Sequence, residues 1–137
     1  MRVMVCGSPD WTDRTAIRRQ LEKLPSDSVI IHGDQGYGDD GSALWGKPDA
    51  LAICGADKLA GQVAQALGMQ VESYTPPEWQ AGKRDTSAGP RRTARMLREG
   101  KPNLVLVFTG QAEESAAVAD CIRQARVAGL EVRVIWE

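Results

Sequence analysis

Four short segments hold the residue types that could do chemistry. The first is Gly7-Ser8-Pro9-Asp10-Trp11. A glycine directly after a β-like run lets a ligand approach the main chain. Ser8 offers both an amide and a hydroxyl, and the helix that follows presents free N–H groups at its positive end, suited to phosphate or carboxylate. Trp11 can pack at the edge of the core or stack on a base. The second segment begins at His32-Gly33-Asp34 and ends at Gly55-Ala56-Asp57, which opens a helix. Asp57 can cap that helix or hold a ribose hydroxyl. For His32, the only histidine, a hydrogen-bonded structural role is expected ahead of catalysis.

The third segment contains Trp79, Lys83, Arg84 and Asp85, then Gly89-Pro90-Arg91-Arg92 and Arg95. Arginines in the first turns of a helix oppose its dipole. Their presence points to an anionic partner or a carboxylate, with a solvated basic face as the alternative. The fourth segment is Thr109-Gly110, able to line a pocket, followed by Glu113 and Glu114. Glutamates there can act as general acid or base, or serve as dipole partners. Asp57 and Glu113 are the candidate catalytic carboxylates.

Other chemistries are disfavoured. Neither a G-x-G-x-x-G fingerprint nor a G-x-x-x-x-G-K-[ST] loop occurs. Cys6, Cys54 and Cys121 are odd in number, widely spaced and without C-x-x-C pairing, so reduced thiols are expected rather than disulfides or a metal site. One histidine leaves no His-rich metal site, and no obligatory cofactor is implied.

These segments need elements to position them. Residues 2–6, 28–32, 70–74, 103–108 and 130–136 read as strands, and 103–108 (NLVLVF) as the most apolar and central. Helices are expected over 12–24, 56–67, 90–99 and 113–128, with Pro25, Gly68, Gly100 and Gly129 as stop signals. The alternation predicts an α/β fold: a Rossmann-like three-layer sandwich of about five mainly parallel strands with helices on both faces. The chain of 137 residues fits one domain with a long loop insertion at about 34–54. In such sheets ligands bind beyond the carboxyl ends of the strands, where the strand order switches. All four segments fall at strand ends.

The formal net charge of -1 carries no global field for nucleic acid, and no apolar run is long enough for a membrane span. The N-terminus lacks signal-peptide character, so a cytoplasmic location is expected.

Taken in order, Gly7-Ser8 with Trp11, His32-Gly33, Gly55-Ala56-Asp57, and Ala88-Gly89-Pro90 through Arg92 and Met96-Leu97 resemble the YspA-like (cpYpsA-related) branch of the SLOG superfamily, which includes the SMF/DprA and LOG proteins. The resemblance covers nearly the whole chain. It implies a nucleotide-binding Rossmann-like domain, a setting in bacterial or phage conflict, and homo-oligomers (dimer or higher). It also implies a pocket lined by Gly7, Ser8, Gly33, Gly55, Asp57, Gly89 and Arg92. Two features depart from the family: the 34–54 insertion, and the absence of a Gly-Gly-x-Gly-Thr signature after the fourth strand, where only Thr109-Gly110 and Ser115 stand.

The expected function is binding of a nucleotide-derived small molecule (an NAD/ADP-ribose-like or cyclic-nucleotide signal) as a sensor or sequestering protein. The expected ligand-binding set adds Trp11, Asp34, Ala56, Lys83, Pro90, Arg95, Thr109 and Gly110 to the residues named above. Two alternatives stand beside it. One is a nucleotide N-glycosidase, phosphoribohydrolase-like, using Asp57 or Glu113 with Arg92. The other is an interaction module that uses the insertion, an acidic loop tipped by Tyr37 and Trp45.

Overall fold

The computed structural model describes residues 1–44, 46–47, 49–74, 88–110 and 116–136. Among these residues, five strands form one sheet: β1 (Arg2–Gly7), β2 (Val29–His32), β3 (Gln70–Ser73), β4 (Leu104–Thr109) and β5 (Glu131–Trp136). Their order is β3-β2-β1-β4-β5, and every pairing is parallel. Among the described residues, four helices connect them: α1 (Arg14–Glu22), α2 (Ala56–Ala66), α3 (Ala88–Gly100) and α4 (Ala116–Val127). The three-layer α/β expectation is met.

Period-two alternation of the strands builds both layers. Val3 and Val5 of β1, with Leu104, Leu106 and Phe108 of β4, face a core shared with Ile17 and Leu21 of α1 and Leu59 and Ala60 of α2. Met4 and Cys6, with Val105 and Val107, face the opposite core, built with Met96 of α3 and Val118, Cys121 and Ile122 of α4. All six residues of β4 are buried, as its apolar run requires of an interior parallel strand. The central position belongs to β1 instead, flanked by β2 and β4.

Helix boundaries follow local chemistry. Asp13 caps α1 by accepting from the Ala16 N–H at 3.0 Å, so the helix starts at Arg14, two residues later than predicted. Helix α3 starts at Ala88, so Pro90 lies within its first turn, where its missing N–H costs nothing.

The 34–54 insertion is stitched to the body. Tyr37 bridges to Ala43 and Cys54, while Leu44 and Ala52 are buried in the α1–α2 core. Arg14 donates to the Ala52 carbonyl and Gln62 to the Ala50 carbonyl at 2.8 Å. Tyr37 is half-buried near the base and takes a hydrogen bond from Gln35, which corrects the placing of Tyr37 at the tip. Among the described residues, no helix is long and apolar enough to cross a membrane.

Candidate functional site

The strand order switches at β1, whose connection through α1 leads to β2 on one side while β4 lies on the other. Beyond the carboxyl ends of β1 and β4 lies a crevice whose small enclosed part, about 20 Å³, is lined by Cys6, Gly7, Gln35, Asp57, Arg92 and Thr93, with residues of α4 behind. That volume suits a single water-sized group.

Gly7 ends β1 opposite Phe108. A Cβ there would overlap the Phe108 carbonyl oxygen and stand 2.8 Å from the Ala56 Cβ, so only glycine lets β1, β4 and α2 converge. Ser8 follows, but its donors are committed inside. Its N–H donates to the Phe108 carbonyl at 2.9 Å, and its hydroxyl shares a 2.9 Å hydrogen bond with the buried Thr109 hydroxyl. Its carbonyl accepts from the Ala56 N–H. Ser8 and Thr109 therefore tie the switch point together, where the sequence suggested ligand donors. Gly110 lies just past β4, half-buried.

Trp11 is corrected from stacking platform to core. Its ring is 1% exposed and packs edge-on against Phe108, with Nε1–H donating to the Asp13 carbonyl. No face remains for a base. Gly55 holds a φ of 105°, and a Cβ on it would meet the Gln35 carbonyl at 2.6 Å; this close turn brings α2 against the Gly33–Gln35 segment.

Two acid–cation pairs then lie on either side of that segment, their α2 members being consecutive. Asp57, 3% exposed, does not cap α2; it accepts from the backbone N–H groups of Gly33 and Gln35. Its pKa is raised to about 6 because burial disfavours the charged form, which Arg92 only partly offsets. Arg92 Nη2 stands 3.9 Å from Asp57 Oδ2, and Nη1 donates to the Gly33 carbonyl at 3.4 Å. Its Nε is buried and, among the described residues, has no hydrogen-bond partner. The Arg92 side chain packs against Gly33, where a Cβ would meet Nε at 2.5 Å.

On the other side, Lys58 Nζ donates to Asp34 Oδ1 at 2.7 Å and to the Leu44 carbonyl at 2.9 Å, while Asp34 Oδ2 accepts from the Gly46 N–H at 2.7 Å. Asp34 holds a φ of 63°, a left-handed conformation that aspartate tolerates. Its expected ligand role is corrected: its carboxylate anchors the insertion to α2. His32 Nδ1 accepts from the Asp34 N–H at 2.9 Å, and burial lowers the His32 pKa to about 4, so the imidazole is neutral.

Arg95 is drawn away from the crevice. It pairs with Glu99 at 2.6 Å and lies over the Tyr74 ring at 5.0 Å. The Pro90 carbonyl accepts from Gln124 and so fixes the start of α3 against α4; Gly89 lies in the same first turn. Trp45, Trp79, Lys83, Arg84, Asp85, Glu113 and Glu114 lie outside the described residues.

Sequence reasoning missed three participants. Lys58 is 3% exposed, and its only signal was a charge immediately after Asp57 in an otherwise uncharged helix. Cys6 and Cys121, distant in sequence, meet behind the crevice, where their mutual hydrogen bond and burial push the Cys6 thiol pKa well up. Among the described residues no group of three potential metal ligands occurs. No family model and no curated protein matches the chain.

Proposed function

We propose that the chain binds a nucleotide-derived small molecule, of the NAD/ADP-ribose or cyclic-nucleotide type, in the crevice at the ends of β1 and β4. It would act as a sensor or sequestering protein. The observation that carries this reading is the under-satisfied Arg92. It is a nearly buried guanidinium whose Nε–H has no acceptor among the described residues and which stands 3.9 Å from its carboxylate, at the switch point of a parallel sheet. Buried polar groups are ordinarily paired, and an unpaired cationic donor is best completed by an anionic ligand. Asp57 beside it is suited to a ribose hydroxyl. Because the enclosed volume holds only a water-sized group, a single phosphate oxygen would enter it, and the rest of the phosphate, the sugar and the base would lie above the strand ends. The ordered resemblance to the YspA-like SLOG proteins supports the same ligand class.

One observation favours a second reading, N-glycoside cleavage. With a pKa of about 6, Asp57 can exchange a proton near neutral pH, as a general acid or base must.

A thermal-shift panel of ADP-ribose, NAD, AMP and cyclic AMP tests the first reading, with chromatography of the same mixtures for free base. A ligand at a hundredfold excess over its Kd adds about 2.7 kcal/mol of stability. Stabilisation without base release supports the binder, and base release that Asp57→Asn abolishes supports the enzyme. No shift with any compound contradicts both.

A further inference from the structure

A second cleft, separate from the crevice, opens between α2 and the edge strand β3. Its volume is about 110 Å³, and its lining includes His32, Gly61, Gln62, Gln65, Val71 and Ser73, with the Asp34–Lys58 pair behind. His32 forms the floor at 5% exposure. Since Nδ1 accepts from the Asp34 N–H, the ring proton lies on Nε2. Among the described residues, none accepts from that Nε2–H. The imidazole edge fits only because residue 61 is glycine: a Cβ there would stand 2.5 Å from Nε2.

The chemistry of the lining selects the occupant. Asp34 and Lys58 neutralise one another at 2.7 Å, so an ionic ligand would find no spare counter-charge in the lining. The remaining groups are a single N–H donor on the floor, and on the exposed rim the Gln65 amide and Ser73 hydroxyl, each able to donate and accept. Val71 supplies an apolar strip. Mixed donors and acceptors beside a short apolar surface match vicinal hydroxyls on a carbon ring.

We propose that this cleft is a binding site for a neutral hydroxylated ring of pentose size, its hydroxyl oxygen accepting from His32 Nε2–H. The site does not depend on the crevice reading. It does share a wall with the crevice, because the Gly33–Gln35 segment that borders Asp57 also carries Asp34.

His32 is the only histidine, so its imidazole gives an unambiguous NMR signal in the full chain. Titration with D-ribose is expected to give a saturable shift of the His32 Nε2 resonance. Ser73→Ala and Gln65→Ala, both on the exposed rim, should each weaken ribose about fivefold. Gly61→Ala should abolish the response by displacing the imidazole. Arg92→Ala should leave it unchanged, which separates this site from the crevice. If ADP-ribose gives the same shift in Arg92→Ala, the occupant is the sugar of a nucleotide; if only free ribose does, it is a free sugar. The proposal is overturned if neither compound moves the resonance saturably, or if the shift persists at full affinity when Ser73 and Gln65 are both alanine.

Discussion

Asp57 and Lys58 are neighbours on one helix, yet each belongs to an ion pair of a different kind. Lys58 meets Asp34 at 2.7 Å, and both groups have further hydrogen bonds, to the Leu44 carbonyl and the Gly46 N–H. Asp57 faces Arg92 across 3.9 Å, and among the described residues Arg92 Nε has no partner. Burial is similar, so it does not separate them. Completion does: the first pair is closed and holds the insertion on the body, whereas the second is open and placed where the strand order switches. A buried pair whose charged atoms each already hold hydrogen-bond partners offers a ligand less than one with an orphan donor.

Breaking the closed pair should have the largest effect. Lys58→Met leaves Asp34 buried without its cation and is expected to cost about 3–5 kcal/mol, read from urea denaturation. Arg92→Met at pH 5, where Asp57 already holds its proton, should cost less than half as much. Equal losses would erase the distinction between the pairs.

The next effect is on pH dependence. Asp57 keeps its proton up to about pH 6 in the folded chain, against an ordinary value of 3.8. Its contribution is present below the ordinary value and is lost as pH rises through about 6. His32 runs the other way, from an ordinary 6.5 down to about 4: its contribution is present above 6.5 and lost as pH falls through 4. The two oppose each other between pH 4 and 6 in the wild type. Asp57→Asn removes one of them, so the stability of the variant minus that of the wild type should rise by on the order of 2–3 kcal/mol over that range. A difference that stays flat with pH would mean that Asp57 titrates normally.

The layers of the molecule were legible in the sequence because they depend on local pattern. The alternation in β1 and β4 and the stop signals at Gly68 and Gly129 specify elements, and elements of this order make a parallel sheet. Gly7, Asp57 and Arg92 were also legible, since strand ends and helix starts are where such sheets bind ligands. Which polar groups would be consumed was not. Ser8 looks like a donor until Phe108 and Thr109, about a hundred residues away, take its N–H and hydroxyl. Trp11 looks like a platform until Phe108 covers it. Asp34 looks like part of the cradle until Lys58 closes on it. Each outcome depends on a partner distant in sequence, and pairing of that kind leaves no periodic trace.

We propose that the open pair at the switch point belongs to a ligand. Titration calorimetry of ADP-ribose, NAD and cyclic AMP into the wild type and Arg92→Ala tests it most directly. At least one of the three should bind the wild type, and Arg92→Ala should weaken that binding about 10- to 100-fold, the value of a charge-assisted hydrogen bond. Failure of all three to bind the wild type, or equal affinity in both proteins, would contradict it.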